Sequence, residues 1–330
     1  MFGYPKQSCL HLPTPISYLS NLSDRLGIEF YMKRDDLTEF GVGGNKLRKL
    51  EYLIYDAKEK GATMLITVGG AQTNHGRLTA AVAAKNQMKC AIVAMDDYPG
   101  ILSSNMLLDR IFGAYVFLHK PDGTPLMDVV ERVADKFESQ GERCYFIPMG
   151  GSNEIGALGY YECAQELKQE FKSGHVIVPL GSMGTYMGLF CGLHDSDLTL
   201  TGIQIMPYEE DIYTYACNYF NKIKESWHLD FDVTEEDFDI ATDYLYGGYN
   251  VPSETVRNAI YDMARSEAIV LDPCYTGKTY AALLDMLNEG KIKKDETIIF
   301  IHTGGLPGVY TPSHQKAFEA ELMDGVTILG

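Results

Sequence analysis

The chain has 330 residues, of which 45% are hydrophobic and 22% charged, and this length and composition suit a globular protein with two packed units. Its formal net charge of −17 argues against nucleic acid and anionic membrane surfaces as partners, because both would repel the whole molecule. The seven cysteines include no C-x-x-C pair, so the sequence gives no support for a structural zinc site and favours a reducing compartment.

The N-terminal stretch MFGYPKQSCLHLPTP lacks the basic and then apolar layout of a signal peptide. The longest apolar runs, such as TIIFI at 297–301, are far too short to span a bilayer. We therefore expect a cytoplasmic protein with no membrane partner.

Short β-branched runs alternate with helical patterns along most of the chain. The predicted strands are 29–34, 63–70, 89–95, 115–119, 143–149, 175–181, 200–206, 268–273 and 297–305. Helical periodicity marks 46–61 and 76–88 among the stretches between them. Strands that alternate with helices predict an α/β fold with mostly parallel sheets, flanked by helices on both faces. Active-site residues are then expected in loops at the carboxyl ends of strands.

The stretch EFGVGGNKLRKLEY places two lysines, Lys46 and Lys49, at the start of a helix that Asn45 is expected to cap. Lys46 lies one turn before Leu50 and two before Leu53, so we expect it to face the buried side. Burial would lower its pKa and favour the neutral amine, which a lysine that forms a Schiff base needs. Lys49 could hold an anion at the helix start. Taken alone, two solvated lysines on a helix surface are the commoner arrangement.

The loop Val68–Arg77 follows a predicted strand and precedes an alanine-rich helix. Thr73, Asn74 and His75 present a hydroxyl, an amide and an imidazole beside free helix N–H groups. Such a helix start can hold a carboxylate. Simple capping of the helix by Thr73 or Asn74 is an equally good explanation.

A third loop, GSMGT, joins a predicted strand to a predicted helix. It consists of Gly181, Ser182, Met183, Gly184 and Thr185. Its glycines allow successive N–H groups to converge on a phosphate, and its hydroxyls add donors. It is not a Walker loop, because no Gly-Lys-Ser/Thr follows. A lone glycine turn is a weak signal, and the position after a strand strengthens it.

The late loops supply Tyr249, Tyr275, Thr276 and Thr303. Buried tyrosines usually only pack and form hydrogen bonds, so by themselves they indicate little. Together, however, the four loops offer a buried lysine for an aldehyde, a phosphate site, a second anion site and hydroxyls near a ring. These are the groups that pyridoxal phosphate holding an amino acid would need.

Several motifs carry a resemblance that runs nearly end to end, including KRDDLT, GGNKLRKLEYL, GGAQTNHGR, GGSNEIGALGY, GSMGT, LDPCYTGK and HTGG. With them the chain resembles the β-family, or fold type II, of pyridoxal-phosphate enzymes. Within it the chain is most similar to the branch that contains D-cysteine desulfhydrase and 1-aminocyclopropane-1-carboxylate deaminase. The resemblance implies two open, mostly parallel twisted sheets, with the cofactor between a large domain (1–47 plus 157–330) and a small domain (48–156), usually in a homodimer.

The resemblance also implies roles for the candidate residues. Lys46 would carry the cofactor, and Lys49 with the loop 181–185 would hold its phosphate. Asn74 would bind the phenolic oxygen of the cofactor. Tyr249 and Tyr275 match the two active-site tyrosines of the branch.

Thr276 and Thr303 distinguish members of the branch. The deaminase pattern has glutamate and leucine at these positions, whereas desulfhydrase-like members have threonine at both and histidine at the position of His75. A neutral hydroxyl that faces the pyridine nitrogen makes the ring less electron-withdrawing and favours β-elimination. One departure is Thr73, where the branch has serine, because the added methyl stiffens χ1 beside the expected site of the substrate carboxylate.

We therefore expect α,β-elimination of a β-substituted amino acid, with D-cysteine giving pyruvate, hydrogen sulfide and ammonia as the first choice. The alternatives are 1-aminocyclopropane-1-carboxylate deamination and another β-substituted alanine lyase acting on cysteate or chloroalanine. A non-catalytic homologue that only binds an amino acid would be expected to lose the lysine or the phosphate loop, and both are present. The acidic, tyrosine-rich stretch 208–250 is expected to be a solvated helical surface with aromatic packing, or else a lid or subunit contact.

Overall fold

The computed structural model describes residues 4–120 and 122–329. The strands are β1 (Ile16–Tyr18), β2 (Glu29–Arg34), β3 (Met64–Gly69), β4 (Lys89–Met95), β5 (Tyr115–His119), β6 (Cys144–Ile147), β7 (Ser173–Leu180), β8 (Asp197–Gln204), β9 (Ile240–Ala241) and β10 (Thr297–His302). The helices are α1 (Ser20–Leu26), α2 (Lys46–Glu59), α3 (Asn74–Lys85), α4 (Ser104–Ile111), α5 (Leu126–Glu138), α6 (Glu154–Glu170), α7 (Gly184–Leu193), α8 (Ile212–Trp227), α9 (Glu254–Glu267), α10 (Thr276–Asn288) and α11 (Pro312–Leu322).

The strands form two sheets. The larger sheet has the order β1-β2-β10-β7-β8-β9, and the smaller has the order β5-β4-β3-β6. β1 runs antiparallel to β2, and the other described pairs are parallel. Successive residues of β7 enter different cores, since Val176 packs with α6, α7 and α8 whereas Ile177 packs with α9 and α10. Alternation of this kind shows helices on both faces of the sheet, and the predicted α/β class is confirmed.

The smaller sheet is an insertion within the larger one. Its four strands come from the continuous stretch Met64–Ile147, whereas the larger sheet takes strands from both sides of that stretch. This order agrees with a small unit placed inside a large one. The particular boundaries, 1–47 plus 157–330 and 48–156, stay a prediction.

The strand predicted at 268–273 is wrong. Ala268 adopts a left-handed conformation (φ 57°) at the end of α9. At the other end, the carboxylate of Asp272 accepts hydrogen bonds from the backbone N–H groups of residues 274–276. Both ends of the segment therefore serve helix termini and not a sheet. The unpredicted strands β1 and β9 have only 3 and 2 residues, which is too short for an alternating pattern to be recognised.

The acidic, tyrosine-rich stretch 208–250 includes α8, which has one buried and one solvated face. Ile212, Phe220 and Ile223 pack into the core, while acidic residues such as Glu225 remain exposed. The expected aromatic packing is present, and a role as a lid or subunit contact stays a prediction. Within residues 4–120 and 122–329, no helix combines the length and the apolar composition needed to cross a membrane.

A buried ion-pair network fixes α2, the helix that begins with Lys46. The guanidinium of Arg48 donates to both carboxylate oxygens of Asp35, at 2.9 and 3.0 Å, and to both of Glu166, at 2.7 and 2.8 Å. Asp35 directly follows β2 and Glu166 lies on α6. Bidentate pairs of this kind fix geometry as well as charge, so the start of α2 is tied to two other elements of the fold.

Candidate active site

A cavity opens where the carboxyl ends of strands from both sheets meet. Gly69 ends β3, Leu180 ends β7 and Thr303 follows β10, and all three lie in its wall. Its volume is about 210 Å³. The predicted site residues that line it are Lys46, Thr73, Asn74, His75, Gly181, Ser182, Met183, Thr185, Tyr249, Tyr275 and Thr303. The cavity thus lies where parallel α/β sheets place ligand sites.

Lys49 is fully buried, whereas Lys46 is partly buried and lines the cavity. Nζ of Lys49 donates to the carbonyl oxygen of Gly150 and to Oγ of Ser152, each at 3.2 Å. Burial lowers the pKa of Lys46 to about 8, with a hydrogen bond to Lys49 opposing the shift. Burial and the charge of Lys46 lower the pKa of Lys49 well below its ordinary value. The helical phase predicted for Lys46 is therefore correct, and its amine can be neutral near physiological pH.

The loop from Gly181 to Thr185 forms the start of α7. Met183 has a left-handed φ of 63°, and the helix begins at the next residue, Gly184. A Cβ on Gly184 would lie 2.6 Å from Oγ of Ser152 and 3.0 Å from Nζ of Lys49. The missing side chain therefore keeps open a space bounded by helix N–H groups, a hydroxyl and an amine, which are groups that bind phosphate.

Thr73 caps α3 and lines the cavity at the same time. Its Oγ1 accepts a hydrogen bond from the N–H of Gly76 at 3.3 Å, so helix capping and a site role do not exclude each other. A Cβ on Gly69 or Gly76 would lie 2.9 or 2.5 Å from Cγ2 of Thr73. The methyl group that distinguishes this threonine from serine is therefore seated between two glycines.

His75 has a defined tautomer. The hydroxyl of Thr67 donates to the carbonyl oxygen of Ile147 at 2.8 Å, so it must accept the hydrogen bond that joins it to Nε2 of His75, also at 2.8 Å. Burial and the charges of Lys46 and Lys49 lower the pKa of His75 well below its ordinary value. The ring is neutral, and its Nδ1 is an acceptor that has no partner among the described residues.

Tyr249 and Tyr275 form a hydrogen-bonded pair at the cavity. Their hydroxyl oxygens are 2.6 Å apart, and their rings meet edge to face. Burial raises the pKa of both phenols above the ordinary value. Both therefore keep their protons at neutral pH, which suits them to donate a proton and not to remove one.

Two residues have roles that differ from the prediction. Thr276 is fully buried but does not line the cavity, because its hydroxyl donates to Oδ1 of Asp272 at 2.8 Å and accepts from the N–H of Asp272 at 2.9 Å. Of the pair Thr276 and Thr303, only Thr303 lines the cavity. Asn45 makes no capping hydrogen bond, since its side chain instead donates to Oγ1 of Thr185 at 3.1 Å.

Sequence reasoning missed two residues that support the phosphate-like space. Ser152 bonds to Lys49 and its Oγ lies 2.8 Å from Oγ of Ser182. The polar residue after the glycine pair in GGSN was a signal for it, because the same arrangement of glycines before a helix start predicts the anion site at residues 181–185. The hydroxyl of Tyr208 donates to the carbonyl oxygen of Gly181, and no local pattern marks this contact.

The residues present fit the cofactor that the resemblance implies. A primary amine with a lowered pKa faces the cavity, and the cradle at Gly184 would be filled by any larger residue. Asn74 and Thr303 add an amide and a neutral hydroxyl at the wall. An aldehyde, a phosphate, a phenolic oxygen and a ring nitrogen would each meet a suitable group.

Comparison with known proteins gives matches over nearly the whole chain. The family model described as pyridoxal-phosphate dependent enzyme matches residues 9–304. A D-cysteine desulfhydrase of Klebsiella pneumoniae (strain 342) is 38% identical over 320 residues, which cover 93% of this chain and 96% of the relative.

Solved structures give matches of two kinds. The crystal structure of an ACC deaminase homologue is 34% identical, with a TM-score of 0.86, and the match covers 98% of this chain and 97% of that one. A fungal L-serine ammonia-lyase from Rhizomucor miehei shares the fold at 14% identity, with a TM-score of 0.67 and coverage of 95% and 99%. With the family model matched from the first strand to the last, the chain belongs to the pyridoxal-phosphate dependent enzyme family.

Proposed function

We propose that the chain is a carbon–sulfur lyase that α,β-eliminates D-cysteine and, with the uptake of water, gives pyruvate, hydrogen sulfide and ammonia. The main support for lyase chemistry is the amine of Lys46, which has a lowered pKa and lies at the wall of the cavity. The space at Gly184, bounded by groups that bind phosphate, adds to this support. The choice of D-cysteine is supported by the desulfhydrase of 38% identity.

Pyridoxal phosphate supplies an electron sink for negative charge at the substrate Cα when it is bound. Lys49, Ser152 and the loop 181–185 would hold its phosphate, since they bound the space at Gly184. Asn74 would face the phenolic oxygen, and Thr303 the pyridine nitrogen. Thr276 would act indirectly, because its hydroxyl is bound to Asp272.

Lys46 would take the Cα proton at its Nζ. A general base is most effective when its pKa is near the working pH, and burial brings the pKa of Lys46 to about 8. Arg48 holds the first turn of α2 in place through Asp35. The backbone that carries the side chain of Lys46 is therefore fixed.

The start of α3 would bind the substrate carboxylate. Thr73 accepts from Gly76 and has no described acceptor for its own hydroxyl hydrogen, so it can donate that hydrogen to the carboxylate. Unpaired N–H groups at the helix start add to this attraction. The bare Nδ1 of His75 would repel a carboxylate oxygen, so the contribution of His75 would be to orient the loop.

Tyr275, with Tyr249 behind it, would protonate the leaving sulfur. The short contact between the two hydroxyls, 2.6 Å, uses one of their two protons. The other proton is free to be donated, and the raised pKa of both phenols keeps it available across neutral pH.

The second candidate is a deaminase of 1-aminocyclopropane-1-carboxylate, which the 34% identity to an ACC deaminase homologue favours. A lyase for cysteate or chloroalanine would use the same residues. Position 276 argues against the deaminase, because the deaminase pattern has glutamate there and this chain has a threonine that is bound to Asp272. A homologue that only binds amino acids is disfavoured by the presence of both Lys46 and the cradle.

We also propose a cytoplasmic homodimer. All seven cysteines are free, which suits a reducing compartment. Leu107 and Ile111, one turn apart on α4, are 40% and 66% exposed, and Leu102 beside them is 54% exposed. Exposed apolar residues that share one helix face are typical of protein contacts.

The dimer proposal predicts a mass near twice 36.8 kDa by light scattering at micromolar concentration. Ile111→Glu would place a charge on the contact and shift the mass toward the monomer. Ile328→Glu, a change at an exposed position near the chain end, is the matched control. A monomeric parent protein would contradict the proposal.

The first test of the lyase chemistry is Lys46→Ala. The purified parent protein should show a visible chromophore that borohydride bleaches, and the variant should lack it. Loss of the base should lower kcat about 10²–10⁴-fold. Lys60→Ala, at the exposed end of the same helix, should change neither property. Full activity in Lys46→Ala would contradict the assignment of the lysine.

The substrate is tested by assaying D-cysteine, L-cysteine, L-cysteate and 1-aminocyclopropane-1-carboxylate side by side. We expect sulfide and pyruvate from D-cysteine with a kcat/KM at least about tenfold above the others. If 2-oxobutyrate forms from 1-aminocyclopropane-1-carboxylate and D-cysteine gives no sulfide, the second candidate replaces the first.

The lowered pKa of Lys46 predicts a pH-dependent stability in the cofactor-free protein. Between the folded value of about 8 and the ordinary 10.5, the unfolded chain binds more protons, so stability should rise with pH. Lys46→Met should therefore raise the free energy of unfolding near neutral pH, and this gain should shrink as pH rises through that window. Urea unfolding at a series of pH values measures it, with Lys60→Met as control. A gain in the free energy of unfolding that is constant with pH would show that the charge of Lys46 does not destabilise the folded protein.

A further inference from the structure

Arg77 is a fully buried arginine behind the wall of the cavity. Its Nη1 donates to Oδ1 of Asn105 at 3.2 Å, and its Nη2 donates to the carbonyl oxygen of Gly43 at 2.8 Å. Burial lowers the pKa of this guanidinium to about 10, with Asp109 and Asp272 opposing the shift, so it stays charged at neutral pH. A guanidinium has donors and no acceptor. The side-chain atom of Asn105 that faces Arg77 must therefore be its oxygen.

The orientation of Asn105 then determines that of Asn74. Asn105 is fully buried, and its Nδ2 donates to the carbonyl oxygen of Gln72 at 2.8 Å and to Oδ1 of Asn74 at 2.9 Å. Its backbone N–H donates to Oε1 of Gln72 at 2.9 Å, which fixes the residue from a third side. Because Nδ2 only donates, the atom of Asn74 that faces it must be oxygen. The remaining group of Asn74, its Nδ2, is left for the cavity.

We infer that Arg77 and Asn105 are positioning residues that hold the amide of Asn74 with its N–H toward the cavity. The inference rests on the proposed function, in which the ligand atom at Asn74 is the phenolic oxygen of pyridoxal phosphate. An amide N–H stabilises that oxygen in its ionised form, whereas an amide oxygen in the same place would require it to be protonated. The chain of hydrogen bonds from Arg77 thus sets the protonation state that the site accepts.

Asp109 lies close to this chain, and burial raises the pKa of its carboxyl to about 8, so it is mostly protonated at neutral pH. It is 1% exposed, and both its carboxylate oxygens lack a hydrogen-bond partner among the described residues, as does Nε of Arg77. Because Asp109 takes no described hydrogen bond from Arg77, Nη1 of Arg77 remains directed at Asn105. The charged, donor-only form of Arg77, on which the orientation of both amides depends, follows from its own pKa of about 10 and needs no ionised Asp109 at neutral pH.

The test is Asn105→Asp, an isosteric change that replaces the donor by an acceptor. The carboxylate can still accept from Arg77, but on the other side it attracts the N–H of Asn74 and turns the oxygen of Asn74 to the cavity. We expect the dissociation constant for pyridoxal phosphate to rise about tenfold, the equivalent of one lost hydrogen bond. The absorption of the bound cofactor should shift toward the shorter-wavelength band of the protonated phenol.

A double-mutant cycle separates positioning from a general structural effect. In the background of Asn74→Ala, Asn105→Asp should cause no further spectral shift, because the amide through which it acts is absent. An equal shift in both backgrounds would overturn the inference. If Asn105→Asp does not fold, as judged by thermal unfolding, Asn105→Ser takes its place. It frees Asn74 to adopt both orientations and should shift the spectrum in the same direction by a smaller amount, and no shift would again overturn the inference.

Failure of the proposed function and failure of the positioning role of Arg77 and Asn105 give different experimental results. If the parent protein forms no borohydride-reducible chromophore with pyridoxal phosphate, the proposed function fails. If the chromophore forms and Asn105→Asp changes neither its spectrum nor its dissociation constant, only the role of Arg77 and Asn105 fails.

Discussion

The burial of three basic side chains in the first turn of α2 is the constraint around which the site is built. Arg48 is compensated by two carboxylates, Asp35 and Glu166, whereas Lys46 and Lys49 meet no carboxylate in their described contacts. Uncompensated burial of a charge is costly. The same helix therefore combines a cation that is paired with carboxylates, Arg48, with two amines that lack such a partner. A bound phosphate would compensate the charge of these amines. Binding of a phosphate there would therefore stabilise the folded state.

Much of the site follows from local sequence patterns. Helical phase placed Lys46 on the inner side, and loops after strands placed Thr73, Gly181 and Thr303 at one edge, because the carboxyl ends of parallel strands converge. The strand pattern gave β2, β4 and β5 with the observed bounds. These features depend on the helical or strand periodicity of apolar residues and on turns, both of which a few neighbouring residues determine.

The remaining features depend on competition between several possible partners, most of which are distant in the sequence. Thr276 was expected at the cofactor, but Asp272, four residues earlier, takes its hydroxyl to start α10. Asn45 has the residue type of a helix cap, yet a hydroxyl from α7 takes its amide. The bond from Tyr208 to Gly181 and the contact between Asn105 and Asn74 join separate elements. A side chain with several possible partners cannot be assigned before the fold brings those partners together.

The position of the Thr73 methyl group limits how the wall of the cavity can vary. Since the methyl lies against Gly69 and Gly76, positions 69, 73 and 76 behave as one steric unit that spans the end of β3 and the first turn of α3. A Cβ at 76 would lie 2.5 Å from this methyl and requires a smaller residue at 73. A Cβ at 69 would also lie 2.7 Å from Cβ of Thr73, so a serine at 73 would exclude it as well. Any redesign of this part of the cavity wall therefore has to treat the three positions together.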